Sequence, residues 1–395
     1  MNKRAQAAVA VVLVSFGGLY MWRSHTPSPP PPPAIEGEPP MAIAPTNDAV
    51  VAATPPRVDI VFALDTTGSM GGLIEGAKAK IWQIARRAQE GKPAPQLRVG
   101  LVAYRDVGDA YVTRVLDLTN NLDEVYATLS GFRAEGGGDG PEHVLKGLHD
   151  AIDAEHWSPD ANAVKLIYLV GDAAPHLDYK DGITLDGVVR DASRSGIRIS
   201  AIRCGTDQAT LAAWTQIAQR TDGEVSTIEQ SGGVAAVTTP FDADLARLNA
   251  ALARTEVHYG SAAERSAAAD VVARNLAAPA AAQADRATFY GSAAAAKAAP
   301  TKKDLAAASS GSAPLAALAP AELPEEMQAM SGDERTRFVE QKRKERADIL
   351  EQVQTASAKR EEYLHARAPA PSPSSFDTKV YDSLRKAGAK KGIAF

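Results

Sequence analysis

The chain has 395 residues, and its formal net charge of −5 gives no basic footprint for binding nucleic acid. Its single cysteine, Cys204, excludes an intrachain disulfide and a thiolate metal site. Apolar residues make up 45% of the chain, and the larger ones concentrate between Val58 and Ile228. This distribution predicts one substantial core followed by a thinner C-terminal region.

An apolar run opens the chain. Residues 5–22 are almost wholly apolar and follow the basic pair Lys3 and Arg4. About 18 helical residues just cross a bilayer core about 30 Å thick, and Trp22 suits the membrane interface. We therefore predict an N-terminal transmembrane anchor over 1–25, with the rest of the chain outside the cytoplasm, in a cell envelope such as a periplasm. A cleaved signal peptide, which would release a secreted protein, is the alternative.

A proline-rich linker at 26–56 leads into a region, 57–253, in which strand and helix patterns alternate. The predicted strands are Val58–Leu64, Val99–Tyr104, Tyr111–Leu118, Val164–Val170, Ile197–Arg203 and Glu224–Ile228. Helices are predicted after Gly71-Gly72, from Pro141, and over Thr184–Ser195, Asp207–Arg220 and Val234–Ala253. The pattern predicts an α/β fold, a doubly wound, mostly parallel open sheet with helices on both faces. The fourth strand should be central, and the third an antiparallel edge strand.

Polar side chains follow these strands. Asp65, Thr67 and Ser69 fall at alternate positions after the first strand, and Asp172 ends the fourth. Asp139 lies in a glycine-rich loop between them. Ligands of open sheets bind beyond the carboxyl ends of the strands, so these residues are expected to meet. Hard oxygen ligands suit Mg²⁺, Mn²⁺ or Ca²⁺ better than zinc.

These residues resemble those of a known family. Asp65-x-Thr67-x-Ser69 resembles the Asp-x-Ser/Thr-x-Ser motif of the metal-ion-dependent adhesion site in von Willebrand factor A domains. Asp172 matches the position of that family's later aspartate. The resemblance covers about half the chain, including the order of strands and helices. It implies that Asp65, Thr67 and Ser69 bind a metal directly or through water, that Asp172 acts behind them, and that a partner protein supplies an acidic side chain.

The middle loop departs from the usual family pattern, which has a threonine there. This chain has the segment Gly136–Glu142, together with Ala103-Tyr104-Arg105-Asp106 after the second strand. Both resemble a subgroup of the family, and that resemblance implies that Asp139 replaces the threonine as a ligand. A third carboxylate would bind the metal more tightly but attract an acidic partner less strongly.

Several alternatives remain. Asp65 and Ser69 are also suited to capping the next helix, and Asp139 to a turn or cap. Asp106 and Asp109 are expected in a solvated loop, and His176 in an exposed one. Metal-assisted hydrolysis is the alternative activity, but no general base, nucleophile elbow or phosphate loop can be identified. We therefore predict a membrane-anchored adhesion protein that recognises a protein partner, and no enzyme.

The composition changes beyond residue 253. Residues 254–324 are rich in Ala and Ser, which predicts low order. The capping box from Ser331 to Glu334 begins the main part of a charged helix within 325–367, and the tail 368–395 has enough apolar character to dock. A scaffold with a vestigial metal site, which would bind through this helix, is a third hypothesis.

Overall fold

One six-stranded sheet forms the centre of the computed structural model. The structure describes residues 55–138, 140–153, 156–234, 237–292, 295, 303–307, 315–367 and 372–395. The strands are β1 (Arg57–Asp65), β2 (Gln96–Tyr104), β3 (Thr113–Thr119), β4 (Val164–Gly171), β5 (Arg198–Cys204) and β6 (Val225–Ile228). Their order is β3-β2-β1-β4-β5-β6, and only β3 pairs antiparallel. The predicted sheet, its central fourth strand and its antiparallel edge are confirmed.

Helices cover both faces of the sheet. Their bounds are α1 (Gly71–Gln89), α2 (Leu122–Ser130), α3 (Val144–Asp153), α4 (Leu185–Arg194), α5 (Gln208–Arg220), α6 (Asp242–Ala253), α7 (Ala262–Leu276), α8 (Ala280–Tyr290), α9 (Glu325–Gln328), α10 (Gly332–Arg367) and α11 (Phe376–Ala389). Phe62 of β1 packs in the core beneath α1, α2 and α11, whereas Val61 packs beneath α3, α4 and α5. Successive side chains of a strand point to opposite faces, so a strand covered on both sides must be apolar throughout.

Three helices differ from the sequence prediction. Helix α2 was not predicted, although Leu122, Val125 and Leu129 have helical spacing and are buried. Helix α3 begins at Val144 instead of Pro141, because the backbone of the intervening residues bridges the loop after β4. Helix α6 begins at Asp242 instead of residue 234, since the residue before a proline, here Pro240, disfavours helical geometry.

Two helices, α7 and α8, lie within 254–324, the region for which the composition predicts low order. Ser261 and Glu264 form a complete capping box at the start of α7. Arg286 of α8 is buried and donates two hydrogen bonds to the carboxylate of Asp123 in α2, at 2.5 and 2.8 Å. The segment contains few large apolar side chains, but Phe289 of α8 packs in the core and the Arg286–Asp123 ion pair joins α8 to α2.

The last two helices complete the core. Ser331 and Glu334 form the predicted capping contacts ahead of α10. Phe376 of α11 lies 6.0 Å from Phe62, ring centre to ring centre, and the Tyr168 hydroxyl donates to the carbonyl of Val380. The C-terminal segment therefore closes one face of the sheet. The predicted span at 5–22 lies outside the described residues, and no helix within them is long and apolar enough to cross a membrane.

Candidate metal site

The first part of the site is the turn that follows β1. Asp65 is fully buried, and its Oδ1 accepts hydrogen bonds from the Thr67 amide at 2.9 Å and the Thr67 hydroxyl at 2.6 Å. The Ser69 hydroxyl lies 3.5 Å from that of Thr67. Neither Asp65 nor Ser69 caps α1, whose N-cap position is Met70. The turn thus gathers one carboxylate and two hydroxyls at the carboxyl end of β1.

The other carboxylate oxygen of Asp65 lacks a hydrogen-bond partner among the described residues. This atom, Oδ2, is buried. A Cβ atom at Gly171, at the end of β4, would lie only 2.9 Å from it. Burial raises the pKa of Asp65 to about 7, aided by the charge of Asp172 and opposed by the hydrogen bonds from Thr67. A buried oxygen that is left unpaired costs free energy, which a bound cation would offset.

Asp172 stands beside this turn, at the end of β4. Its Oδ2 accepts a hydrogen bond of 2.5 Å from Nε2 of Gln230, and its carbonyl accepts one of 3.0 Å from the Thr210 hydroxyl. Gln230 Nε2 also lies 3.3 Å from the carbonyl of Ser69. Gln230 therefore joins the loops after β1, β4 and β6, a role that no local motif in the sequence indicates.

The glycine-rich loop lies against the same turn. The Gly68 amide donates to the carbonyl of Gly136 at 3.1 Å, and the Gly137 amide donates to the carboxylate of Asp109. Gly137 has a φ of 73°, and a Cβ there would lie 2.9 Å from Cβ of Thr67. Only glycine suits both conditions. Asp139, the predicted ligand in this loop, lies outside the described residues.

Glu142 is a second buried acid that was not predicted as a site residue. It is 3% exposed, and its Oε2 has no hydrogen-bond partner among the described residues. Its amide donates to the carbonyl of Ala174, and its carbonyl accepts from the His176 amide. Burial raises its pKa to about 8, and the charges of Asp65 and three other aspartates add to the rise. The Pro-Glu sequence indicates a helix start, which concealed this role.

Asp106 and Asp109, expected in a solvated loop, are both half-buried. The Tyr179 hydroxyl lies 2.8 and 2.7 Å from the two carboxylate oxygens of Asp106. His176 stacks on the Tyr179 ring with a centroid distance of 4.5 Å, and its side chain is only 17% exposed. The prediction of an exposed His176 is therefore wrong, because the aromatic contact covers the imidazole.

The donor set fits a hard divalent cation. Asp65 and Glu142 form no ion pair in the described chain, and oxygen atoms of carboxylates and hydroxyls are the ligands that Mg²⁺, Mn²⁺ and Ca²⁺ prefer. Within the same residues, however, no three His, Cys, Asp or Glu side chains are grouped closely enough to hold a metal by themselves. Hydroxyls, water or residues beyond those described would have to complete the coordination of a bound metal.

Comparison with known proteins agrees with this architecture. Residues 59–236 match the sequence model of the von Willebrand factor A domain. The chain carries a von Willebrand factor A domain. Over 121 residues it is 31% identical to the alpha-protein kinase vwkA of Dictyostelium discoideum, which covers 30% of this chain and 19% of the kinase. Over 120 residues it is 34% identical to von Willebrand factor A domain-containing protein 7 of Rattus norvegicus, 30% of this chain and 12% of that protein.

The A domain is the shared part, because the match spans about a fifth or less of each of these relatives. Among solved structures, the VWA domain of SpRpn10 is 15% identical with a TM-score of 0.32, over 45% of this chain and 89% of that one. BatB from Bacteroides thetaiotaomicron is 14% identical with the same TM-score, over 44% of this chain and 90% of that one.

Proposed function

We propose that the A domain binds a divalent cation and uses it to capture an acidic side chain of a partner protein. The cation is Mg²⁺, or else Mn²⁺ or Ca²⁺, and its ligands are Asp65, Thr67, Ser69, Asp139 and Asp172, directly or through water. The buried, unpartnered Oδ2 of Asp65 is the observation that carries this proposal. Such an atom needs a donor or a cation, and the described part of the chain supplies neither.

The surrounding residues have distinct tasks. The Thr67 hydroxyl and amide hold Asp65 Oδ1, which leaves Oδ2 available. Gln230 fixes the Asp172 carboxylate, and Asp109 fixes the glycine loop. Glu142 lies beside the turn, and it would add negative charge there once a bound cation favours its ionised form. A bound metal would supply positive charge and an exchangeable coordination position for a carboxylate of the partner.

Exposed apolar side chains at the rim support a protein partner. Leu177 and Val107 are 69% and 57% exposed, and they are two of the three exposed large hydrophobic residues among those described. Leu177 follows His176 and Val107 follows Asp106, and the Nε2 of His176 lies 3.7 Å from the Asp106 carboxylate. Both apolar side chains therefore stand on adjoining loops beside the site. Single exposed apolar residues are common, but a pair at a binding edge is typical of an interface.

The N-terminal anchor remains part of the proposal. Residues 1–25 would hold the A domain to a membrane, with the linker 26–56 as a stalk on the outer side. Recognition is preferred to catalysis, because a metal that only captures a carboxylate needs no nucleophile or general base. Carbonate extraction and protease protection of cell fractions test the anchor and its orientation: an extractable chain would exclude the anchor.

Metal-dependent capture tests the function. The full-length wild-type chain, immobilised and incubated with an envelope extract, should retain a partner in Mg²⁺ and release it in EDTA. Asp65→Asn should retain nothing in either buffer, whereas Asp244→Asn, at an exposed position in α6, should behave as wild type. Retention by Asp65→Asn, or retention that EDTA does not affect, would refute the proposed mechanism.

A further inference from the structure

Five basic side chains lie at the end of the sheet opposite the candidate metal site. Arg57 is the first residue of β1, and Lys165 is the second of β4. Lys92 and Arg194 each lie four residues before a strand, β2 and β5 respectively. Lys391 follows α11, and its Nζ donates at 2.8 Å to a carbonyl in the loop before β4. The four strands are parallel, so their amino ends meet at one edge of the sheet, and the five residues form what is here called the basic face.

Contacts between neighbouring loops make the basic face one continuous surface. Lys92 forms an antiparallel bridge with Ala394, three residues after Lys391. Lys165 Nζ donates at 3.2 Å to the carbonyl of Ser195, the C-cap residue of α4. The loops before β2, β4 and β5 and the end of α11 therefore lie side by side.

Within the described chain, none of these five cations forms an ion pair. Other cations nearby are paired. Lys390 and Arg198 both contact the carboxylate of Asp222, and Lys386 pairs at 2.8 Å with an acid just before β6. Asp160, an exposed acid in the loop before β4, accepts a hydrogen bond from a neighbouring amide. It offsets only part of the charge, so the basic face keeps an excess of positive charge.

This positive charge has only a partial structural explanation. A cation in the last turn of a helix stabilises that helix, which is sufficient for Arg194 in α4. It does not account for Arg57, Lys92 or Lys165, which lie in strands or in a loop. Charge is also distributed unevenly along the domain, because the rim of the metal site, about 25 Å away at the other end of β4, is acidic. The acids of that rim are Asp106, Asp109, Asp172, Asp178 and Asp181.

The linker joins the domain at the basic face. Arg57 starts β1, and the carbonyl of Pro56 before it accepts a 2.8 Å hydrogen bond from the amide of Gln96, at the start of β2. An anchor at residues 1–25 would therefore bring the basic face, and not the metal site, nearest to the membrane. Anionic phospholipid headgroups complement its charge, and each Lys or Arg that reaches such a surface strengthens binding about fivefold.

We propose that the basic face docks on anionic phospholipid headgroups, and that docking directs the metal site away from the membrane. This proposal rests on the membrane anchor of the proposed function. The linker alone would tether the domain without fixing its orientation, whereas several cations on one surface fix it. Docking should be strong at low salt and lost when salt screens the charges.

Lysine reactivity in lipid nanodiscs tests the proposal. The full-length chain is placed in discs of phosphatidylcholine, with or without phosphatidylglycerol, and is acetylated briefly with a water-soluble reagent. Mass spectrometry should show that Lys92 and Lys391 react severalfold more slowly in the anionic discs. Lys180 and Lys344, which are exposed on other surfaces, should react equally in both. The protection should disappear at about 1 M salt, where the Debye length is about 3 Å.

Two double variants of equal charge make the test specific. Arg194→Gln with Lys391→Gln removes two of the five charges, which should weaken docking about 25-fold and abolish the protection of Lys92. Lys180→Gln with Lys344→Gln is the matched control and should leave Lys92 protected. Equal reactivity of Lys92 in both kinds of disc, protection of Lys180 instead, or protection that survives Arg194→Gln with Lys391→Gln would overturn the proposal.

Failure of the anchor gives a different result. A chain that does not remain with phosphatidylcholine discs on gel filtration has no functional anchor. The same chain is then mixed with preformed anionic discs. Capture at low salt, with Lys92 protected, supports the basic face as a lipid-binding surface, and the absence of capture overturns it.

Discussion

The molecule contains two sets of buried carboxylates, and it treats them differently. In the first set, each acid has an arginine nitrogen at 2.5–2.7 Å: Asp59 with Arg98, Asp123 with Arg286, Asp242 and Asp285 with Arg360, and Asp304 with Arg346. The second set is Asp65 and Glu142, which have no ion-pair partner in the described chain. The ion pairs of the first set join separate elements of the fold, whereas the second set lies by the loops at the carboxyl ends of the strands.

This difference identifies the buried acids that have no neighbouring base in the described chain. Burying an acid without a base raises its pKa, as it does for Asp65 and Glu142. A chain able to place arginines beside Asp123 and Asp304 could have done the same here. Because the described part of the chain places no cation beside Asp65 or Glu142, we propose an external cation as their counterpart.

The largest expected effect comes from removing the arginine partner of an acid in the first set. Arg286→Met leaves Asp123 buried without its guanidinium, and it should lower the free energy of unfolding by about 3–5 kcal/mol. Denaturant unfolding of the full-length chain measures it. Arg247→Met, at an exposed position of α6, should change it by less than about 0.5 kcal/mol. Equal losses of unfolding free energy for the two variants would mean that the buried ion pair contributes no more to stability than an exposed one.

The stability of the second set, Asp65 and Glu142, should depend on bound metal. Mg²⁺ at about a hundred times its Kd should raise the free energy of unfolding of the wild type by about 2.7 kcal/mol. Asp65→Asn should show no such gain, because the amide cannot replace the anionic ligand. Unfolding curves with Mg²⁺ and with EDTA give the comparison. An equal gain in the variant would locate the metal elsewhere.

The pH dependence of stability tests the burial of Asp65 and Glu142. The pKa of Asp65 rises from 3.8 to about 7 and that of Glu142 from 4.5 to about 8, so the folded, metal-free protein holds protons that the unfolded chain has released. The stability that the protonated Asp65 and Glu142 contribute is fully present below about pH 4, and it is lost as the pH rises toward 8. A fall of about 1 kcal/mol or more is expected between about pH 5 and pH 8 in EDTA.

Glu142→Gln should remove about half of that fall, because it eliminates one of the two titrating groups. The measurement is denaturant unfolding in EDTA across the same pH range. A variant whose stability falls as steeply as that of the wild type would show that Glu142 is ionised throughout, against the burial argument.

The smallest effect on folding is expected at the rim. Replacing Leu177 and Val107 together by serine should change the free energy of unfolding by less than about 0.5 kcal/mol, since both are exposed. Metal binding should also persist, while capture of the partner from an extract should fall severalfold. Undiminished capture would remove these side chains from the proposed interface.

The sheet was predictable because its strands are nearly continuous apolar runs with clear breaks between them, as in Val164–Gly171. The turn around Asp65 was predictable because its polar residues alternate immediately after such a run. Glu142 and Gln230 were not, because each reaches the site through contacts made far along the chain. No local pattern distinguishes a buried glutamate after a proline from an ordinary helix start.

The structure of the C-terminal region was also not predictable from local sequence patterns. Its small apolar residues and charges gave no periodic signal over α7 and α8, yet Arg286 and Arg360 each find acids on other helices. Docking of α11 on the sheet depends on Phe376 and Val380 meeting Phe62 and Tyr168 more than 200 residues away. Pairing over such separations is a property of the fold and not of any segment.

Calorimetric titration of Mg²⁺ into the full-length chain tests the central claim most directly, with Asp65→Asn and Asp244→Asn measured beside the wild type. The wild type and Asp244→Asn should bind one ion saturably, with release of protons near neutral pH, and Asp65→Asn should give only the heat of dilution. Saturable binding that survives Asp65→Asn, or no binding by the wild type at millimolar metal, would contradict the claim that Asp65 holds a cation.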